Sequence, residues 1–168
     1  MKIWWTVVYI FCFASCALAQ DAWAGKWQGS LVNLPQRADA KPVEVTMELG
    51  GIPKADKTCT PWRTTYSEGG VVKGVKDYQL CRGQGADDLY IDEGGGLKLT
   101  ARLFGDTLVS PFKYDDRLLV SYMRLRGDEL EEDIFTADDK PAAKGVVTLV
   151  PRGIQRLRLR RVETPKAK

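Results

Sequence analysis

The stretch "LKLTARLFGDTLVSPFKYDDRLLVSYMRLRGDELEEDIFT" (Leu97–Thr136) decides the fold. Three dipeptides interrupt it, Gly105-Asp106, Asp115-Asp116 and Gly127-Asp128, and each fits the two central residues of a tight hairpin turn. Facing residues count away from such a turn in step. Leu103 therefore falls opposite Leu108, Ser110 opposite Ser121, and Met123 opposite Glu132, which makes four strands of an up-and-down meander. One face carries Leu97, Leu99, Ala101 and Leu103, then Leu108, Ser110, Phe112 and Tyr114. The third strand adds Leu119, Ser121, Met123 and Leu125, and the fourth adds Leu130, Glu132, Ile134 and Thr136. That face is overwhelmingly apolar, so it is the inner one.

Two rows of this inner face point beyond packing. Ala101, Ser110, Ser121 and Ile134 form a crosswise row of mostly small side chains, which leaves volume of the kind a ligand cavity inside a barrel requires. The next row is Leu103, Leu108, Met123 and Glu132. A carboxylate among such neighbours must lie near a mouth, be paired, or hold a polar group of a ligand. The plain alternative is a filled core in which Ser110 and Ser121 bond to each other while Glu132 looks into water at the rim. On the outer face Arg124 falls opposite Glu131 and Arg126 opposite Glu129, so the neighbouring strand neutralises most of the acidic run "DELEED".

Outside the meander the same grammar continues. Glycine and aspartate punctuation recurs every 8–12 residues or so, and no stretch has a 3.6-residue period. Val43, Val45, Met47 and Leu49 alternate with Glu44, Thr46 and Glu48 as a strand with one wet face. Asn33–Lys41 and Ala137–Lys144 ("ADDKPAAK") read as polar loops. Around Gly69-Gly70, one register sets Cys59 opposite Cys81, Arg63 opposite Asp77 and Trp62 opposite Tyr78. It satisfies a cysteine pair, a charge pair and an aromatic pair together. The expected Cys59–Cys81 disulfide would close a loop of about 20 residues, contributing roughly 3 kcal/mol. The fold class predicted is all-β, an antiparallel up-and-down barrel of about 8–10 strands.

The chain has 168 residues, enough for one compact domain. Residues 1–19 show the tripartite order of a secretory signal: Lys2, an apolar run from Ile3 to Ala14, and Ala17-Leu18-Ala19 before a cut. The folded domain is then 20–163, with 164–168 as a tail, and the protein is secreted or periplasmic. Phe13-Ala14-Ser15-Cys16 is a rival lipoprotein box that would anchor the chain at Cys16. Cleavage at Ala19 leaves Cys59 and Cys81 as a pair in an oxidising compartment.

The chemistry the chain lacks is as informative. There is no histidine, which removes His-ligated haem, His-bearing zinc sites and His-based triads. No nucleophile–base pair and no metal-ligand spacing stands out, so neither enzyme, metal nor cofactor is expected. The acids of Gly85–Gly96 sit at turns and strand ends, without the EF-hand pattern. The formal net charge is +3, concentrated late: Val150–Lys168 holds seven Lys or Arg and one Glu. Arg156, Arg158 and Arg160 form a stripe that would either meet an anionic envelope surface or find acids on neighbouring strands. Aromatics are not interleaved with it, so nucleic acid is not expected.

Near the predicted mature N-terminus, "WAGKWQGSL" (Trp23–Leu31) places two indoles and two glycines in one alternating register. Its Gly25-Lys26-Trp27 resembles the G-x-W of the first strand in the lipocalin and avidin group of β-barrels. The resemblance covers this motif, a late arginine and the meander pattern. It implies a barrel closed at the bottom by Trp27, with an arginine near the end of the barrel over the indole. Arg161 is the first choice for that role and Arg158 the second. It also implies a cavity for a small, partly apolar guest. Biotin-binding members carry asparagine two residues after the tryptophan, where this chain has Gly29, so biotin is not carried over. The function expected is non-catalytic binding of an apolar or amphipathic small molecule, with Ser110, Ser121, Met123 and Glu132 lining or gating the cavity. The alternative is a filled barrel that interacts with the cell envelope through its basic last strand.

Overall fold

A computed structural model describes residues 22–143 and 146–162, and the expected signal segment, the Cys16 box and the tail lie outside them. The described residues form ten strands: β1 (Gly25–Leu34), β2 (Val43–Leu49), β3 (Cys59–Glu68), β4 (Val71–Arg82), β5 (Leu89–Gly94), β6 (Leu97–Phe104), β7 (Thr107–Tyr114), β8 (Arg117–Arg126), β9 (Glu129–Ala143) and β10 (Val146–Arg161). Each pairs antiparallel with its neighbours in sequence, and β1 pairs with β10, so the sheet closes into a barrel. Closure leaves no sheet edge to protect.

The meander has the predicted register in each hairpin, although β6 and β7 pair only between their turn and Arg102–Val109. Leu103 faces Leu108, Ser110 faces Ser121, Met123 faces Glu132 and Arg126 faces Glu129. The turns work because their first residues take a left-handed backbone: Gly105 and Gly127 at φ 62° and 59°, and Asp115 at 55°. The β3–β4 hairpin holds the pairs Cys59–Cys81, Trp62–Tyr78 and Arg63–Asp77, and the disulfide is present with its Cα atoms 4.0 Å apart. Its tip differs from a regular hairpin. Tyr66 faces Gly74 while Ser67 faces Val72, so Lys73 is an extra residue that bulges the ladder. Only with this bulge can a two-residue Gly69-Gly70 turn coexist with the cysteine register.

One loop expectation is overturned. Ala137–Ala143 is strand rather than polar loop, because β9 continues to Ala143 opposite Val146; Lys144 lies outside the described residues. The run Val146–Val150 on β10 supplies a β-branched, apolar partner strand, and its ladder outweighs the polar composition of "ADDKPAAK".

Inward side chains fill one end of the barrel. Trp27 is 0 % exposed, and Trp23, Met47, Met123, Leu130 and Leu159 are buried around it. Arg161 faces Trp27 across the β1–β10 seam, and its guanidinium carbon lies 4.0 Å from the indole centroid. Its two terminal nitrogens donate to the carbonyls of Ala24 (2.7 Å) and Ala22, and Nε lies 3.5 Å from Asp128. Gly29 is required where the seam is tightest: a Cβ there would come within 1.9 Å of the Arg158 carbonyl oxygen. Arg158, the second choice for packing on the indole, instead pairs outside with Asp133 and Glu131.

Candidate functional site

Above the indole plug the inward positions become shorter and more polar, and the barrel hollows. A chamber of about 130 Å³ lies there, open to solvent at the end opposite the plug. Trp62, Ile91, Leu99, Phe112, Leu119 and Ile134 supply apolar wall. A second space, beside the plug between Trp23, Ile52, Leu108 and Met123, measures only about 10 Å³. Lined by apolar groups and near the size of one water, it is a packing defect rather than a site.

Glu132 is the most consequential polar group of the chamber. It lies on β9, one inward position above Leu130, and is 8 % exposed. The Ser121 hydroxyl donates to its Oε1 at 2.7 Å, and among the described residues this is its one hydrogen-bond partner. Burial pushes the carboxyl above its ordinary range. The Ser121 hydrogen bond and the positive charge of Lys76 offset part of that shift, and Asp133 adds to it.

Ser110 donates its hydroxyl to the Thr100 carbonyl at 2.8 Å. Pro111, the next residue, has no N–H to offer β6, and the β6–β7 ladder stops at Arg102 and Val109. The serine thus caps a backbone acceptor where the ladder ends, and its small size leaves space in the wall. Ser110 and Ser121 do not bond to each other, so the filled-core arrangement of these hydroxyls is not adopted.

The wall opposite Glu132 comes from β3, β4 and β5. It brings Thr64, Tyr66, Lys76, Tyr78 and Glu93 to the chamber. Burial, then the charge of Glu132, pushes the Tyr66 hydroxyl up to about 12. Tyr78 is likewise pushed up to about 12, first by burial and then by the charge of Glu93 and a hydrogen bond to it. Both phenols are neutral donors at ordinary pH. Lys76 is exposed at the rim, with Nζ 6.0 Å from the Tyr66 ring centroid and 5.8 Å from that of Tyr78.

Of the residues expected from sequence, Ser110, Ser121 and Glu132 line this chamber together. Met123 does not. It is 1 % exposed and belongs to the plug, because its partner Leu108 also points below the chamber. Ala101 is buried in the core cluster rather than in the chamber wall. Glu132 does not look into water at the rim; Lys76 holds that position. The contribution of β3–β5 was missed, although the Trp62–Tyr78 pair fixes the parity that turns Thr64, Tyr66 and Lys76 inward.

The basic stripe of β10 is matched by acids. Arg156 makes two hydrogen bonds to Asp133, at 2.9 and 3.0 Å, Arg158 lies 3.1 Å from Asp133, and Arg160 lies 3.1 Å from Glu129. The acidic run of β9 is therefore neutralised from β10, the neighbour on its other side from Arg124 and Arg126. Partial burial raises the Asp133 carboxyl, but the Arg156 and Arg158 hydrogen bonds outweigh this and hold it below its ordinary range. The acids between β4 and β6 serve the backbone and its neighbours: Asp88 accepts from the Gln84 N–H, Asp92 from the Gly94 N–H, and Asp87 from Arg102. Among the described residues no group of three or more His, Cys, Asp or Glu is placed to hold a metal ion.

In comparisons with known proteins, no protein-family model, no curated protein and no solved structure matches this chain.

Proposed function

We propose that the protein is an exported, non-catalytic binder of a small amphipathic molecule, held in the chamber above the indole plug. One observation carries the reading: an apolar-walled space of about 130 Å³ with a buried carboxyl, Glu132, at its edge. The size limits the guest. A dry cavity of about 150 Å³ accepts benzene, so the chamber suits one ring, roughly six to eight non-hydrogen atoms. Drug-sized ligands and prosthetic groups need about 300–1,000 Å³. The likeness to lipocalins and avidins agrees with a closed-bottom barrel used this way, and the disulfide suits an oxidising compartment.

Xenon under pressure is the direct test, followed by amide NMR of the purified protein. The expected result is saturable shifts at Ser110, Leu119 and Ser121, with Trp27 and Leu159 unchanged. Absence of saturable shifts at the chamber positions would overturn the reading. Native mass spectrometry of the protein recovered from the cell exterior adds a second readout, a bound mass of single-ring size.

A further inference from the structure

The chamber also carries information about the charge of its guest. We infer that it takes a small organic ammonium ion, with the charge held between Glu132 and the tyrosine rings of the mouth. This rests on the binding reading above and names its ligand class.

Three observations support it. The Lys76 ammonium already rests about equally over two rings, 6.0 Å from Tyr66 and 5.8 Å from Tyr78, so the mouth is shaped to hold a cation over π faces. Deeper in, Glu132 is more than nine-tenths buried, and Ser121 is its one hydrogen-bond partner among the described residues. A carboxylate has about four acceptor sites, and an ammonium supplies up to three donors. Finally, the described chamber wall holds two carboxyl groups, Glu132 and Glu93, against one cation, Lys76. Once Glu132 is ionised, an anionic guest would meet net repulsion, and a neutral one would leave the charge complementarity unused.

Lys76 is then a tethered stand-in. Its exposed stem enters from the rim, and a guest ammonium competes with it for the same rings. Removing the tethered ammonium frees the rings for the guest. The groups that act on Glu132 are Ser121 from β8, Lys76 from β4 and Asp133 on its own strand, and Glu132 in turn acts on Tyr66 from β3. A cationic guest needs Glu132 ionised, so binding strengthens as pH rises through the titration of that carboxyl. A neutral acceptor guest needs it protonated and shows the opposite trend.

The experiment compares benzylamine with benzyl alcohol, a neutral probe of nearly the same shape, by calorimetry on the wild type, Lys76→Met and Glu132→Gln. Benzylamine is expected to bind at least about tenfold more tightly to the wild type. The preference should widen about threefold in Lys76→Met and collapse in Glu132→Gln. Equal binding of the two probes, or a weaker response to benzylamine in Lys76→Met, would overturn the cation assignment while leaving the binding chamber intact. Binding of neither probe would overturn both. Lys76 is exposed, so its variant tests the inference even if Glu132→Gln does not fold.

Discussion

The two ends of the barrel interior use the same strands and opposite side chains. At the plug, Trp27, Leu130 and Leu159 are fully buried, and the gap left between Trp23, Ile52, Leu108 and Met123 is only about 10 Å³. Along the same β7, β8 and β9, one or two inward positions further on, Ser110, Ser121 and Glu132 leave a chamber of about 130 Å³. Each end also has a cation over an aromatic ring. Arg161 over Trp27 is fixed by Ala22, Ala24 and Asp128, whereas Lys76 over Tyr66 and Tyr78 is solvent-exposed. The difference teaches where stability resides and where space is kept. A filled end holds the barrel closed, so that the other end can forgo close packing.

If that division is right, truncations at the two ends differ sharply. Trp27→Ala should cost about 3–5 kcal/mol in urea unfolding, while Leu119→Ala in the half-buried chamber wall should cost less than about 1.5 kcal/mol. Equal losses would break the comparison. Next in size is the disulfide, which ties β3 to β4 on the plug side of Trp62. Replacing Cys59 and Cys81 together by alanine should lose about 3 kcal/mol, with the chamber's ligand preference retained in the folded fraction. Arg161→Met keeps the stem but removes the guanidinium and leaves the Ala22 and Ala24 carbonyls without it. A loss of about 1–3 kcal/mol is expected, read as a lower melting temperature and faster exchange of the Trp27 indole N–H.

The smallest effect separates two neighbouring acids. Glu132, inward, has its folded-state titration raised above 4.5. The unfolded chain then gives up its proton first, so stability declines as pH rises from about 4.5 toward the folded value. Glu132→Gln should flatten that decline, which is at most about 1.4 kcal/mol per pH unit. Asp133, outward and held below 3.8, behaves oppositely: its contribution is present above about 3.8 and fades as pH falls below it. Denaturant titrations from pH 3 to 8 on Glu132→Gln and Asp133→Asn should show two separate windows. A single shared window would show that inward and outward acids do not differ as described.

The meander was legible because its turns are short and its inner face is nearly all apolar, so counting from Gly105, Asp115 and Gly127 leaves one register that buries that face. The β3–β5 wall was not. Thr64, Tyr66, Lys76 and Glu93 are the residue types of an outer face, and only their parity with Trp62 shows that they point inward. The Lys73 bulge was hidden for a related reason, since an inserted residue at a polar hairpin tip disturbs no apolar pattern. Met123 was placed one level too high because strand register gives rows, while depth depends on tilt and on what fills the floor. The partners of the acidic run were half legible: β9 has arginines on both flanking strands, and sequence order favoured the nearer one.

The clasp between Arg161 and the Ala24 carbonyl joins positions 137 apart in the chain. During synthesis, β1 emerges first and stays without its β10 partner until the final strand is made. A product truncated before Leu157 would lose five of the eight β10 residues that pair with β1, Arg161 among them, and would leave both seam strands with unpaired edges. Closure of the barrel therefore waits on β10, because its first strand has no seam partner until that strand arrives.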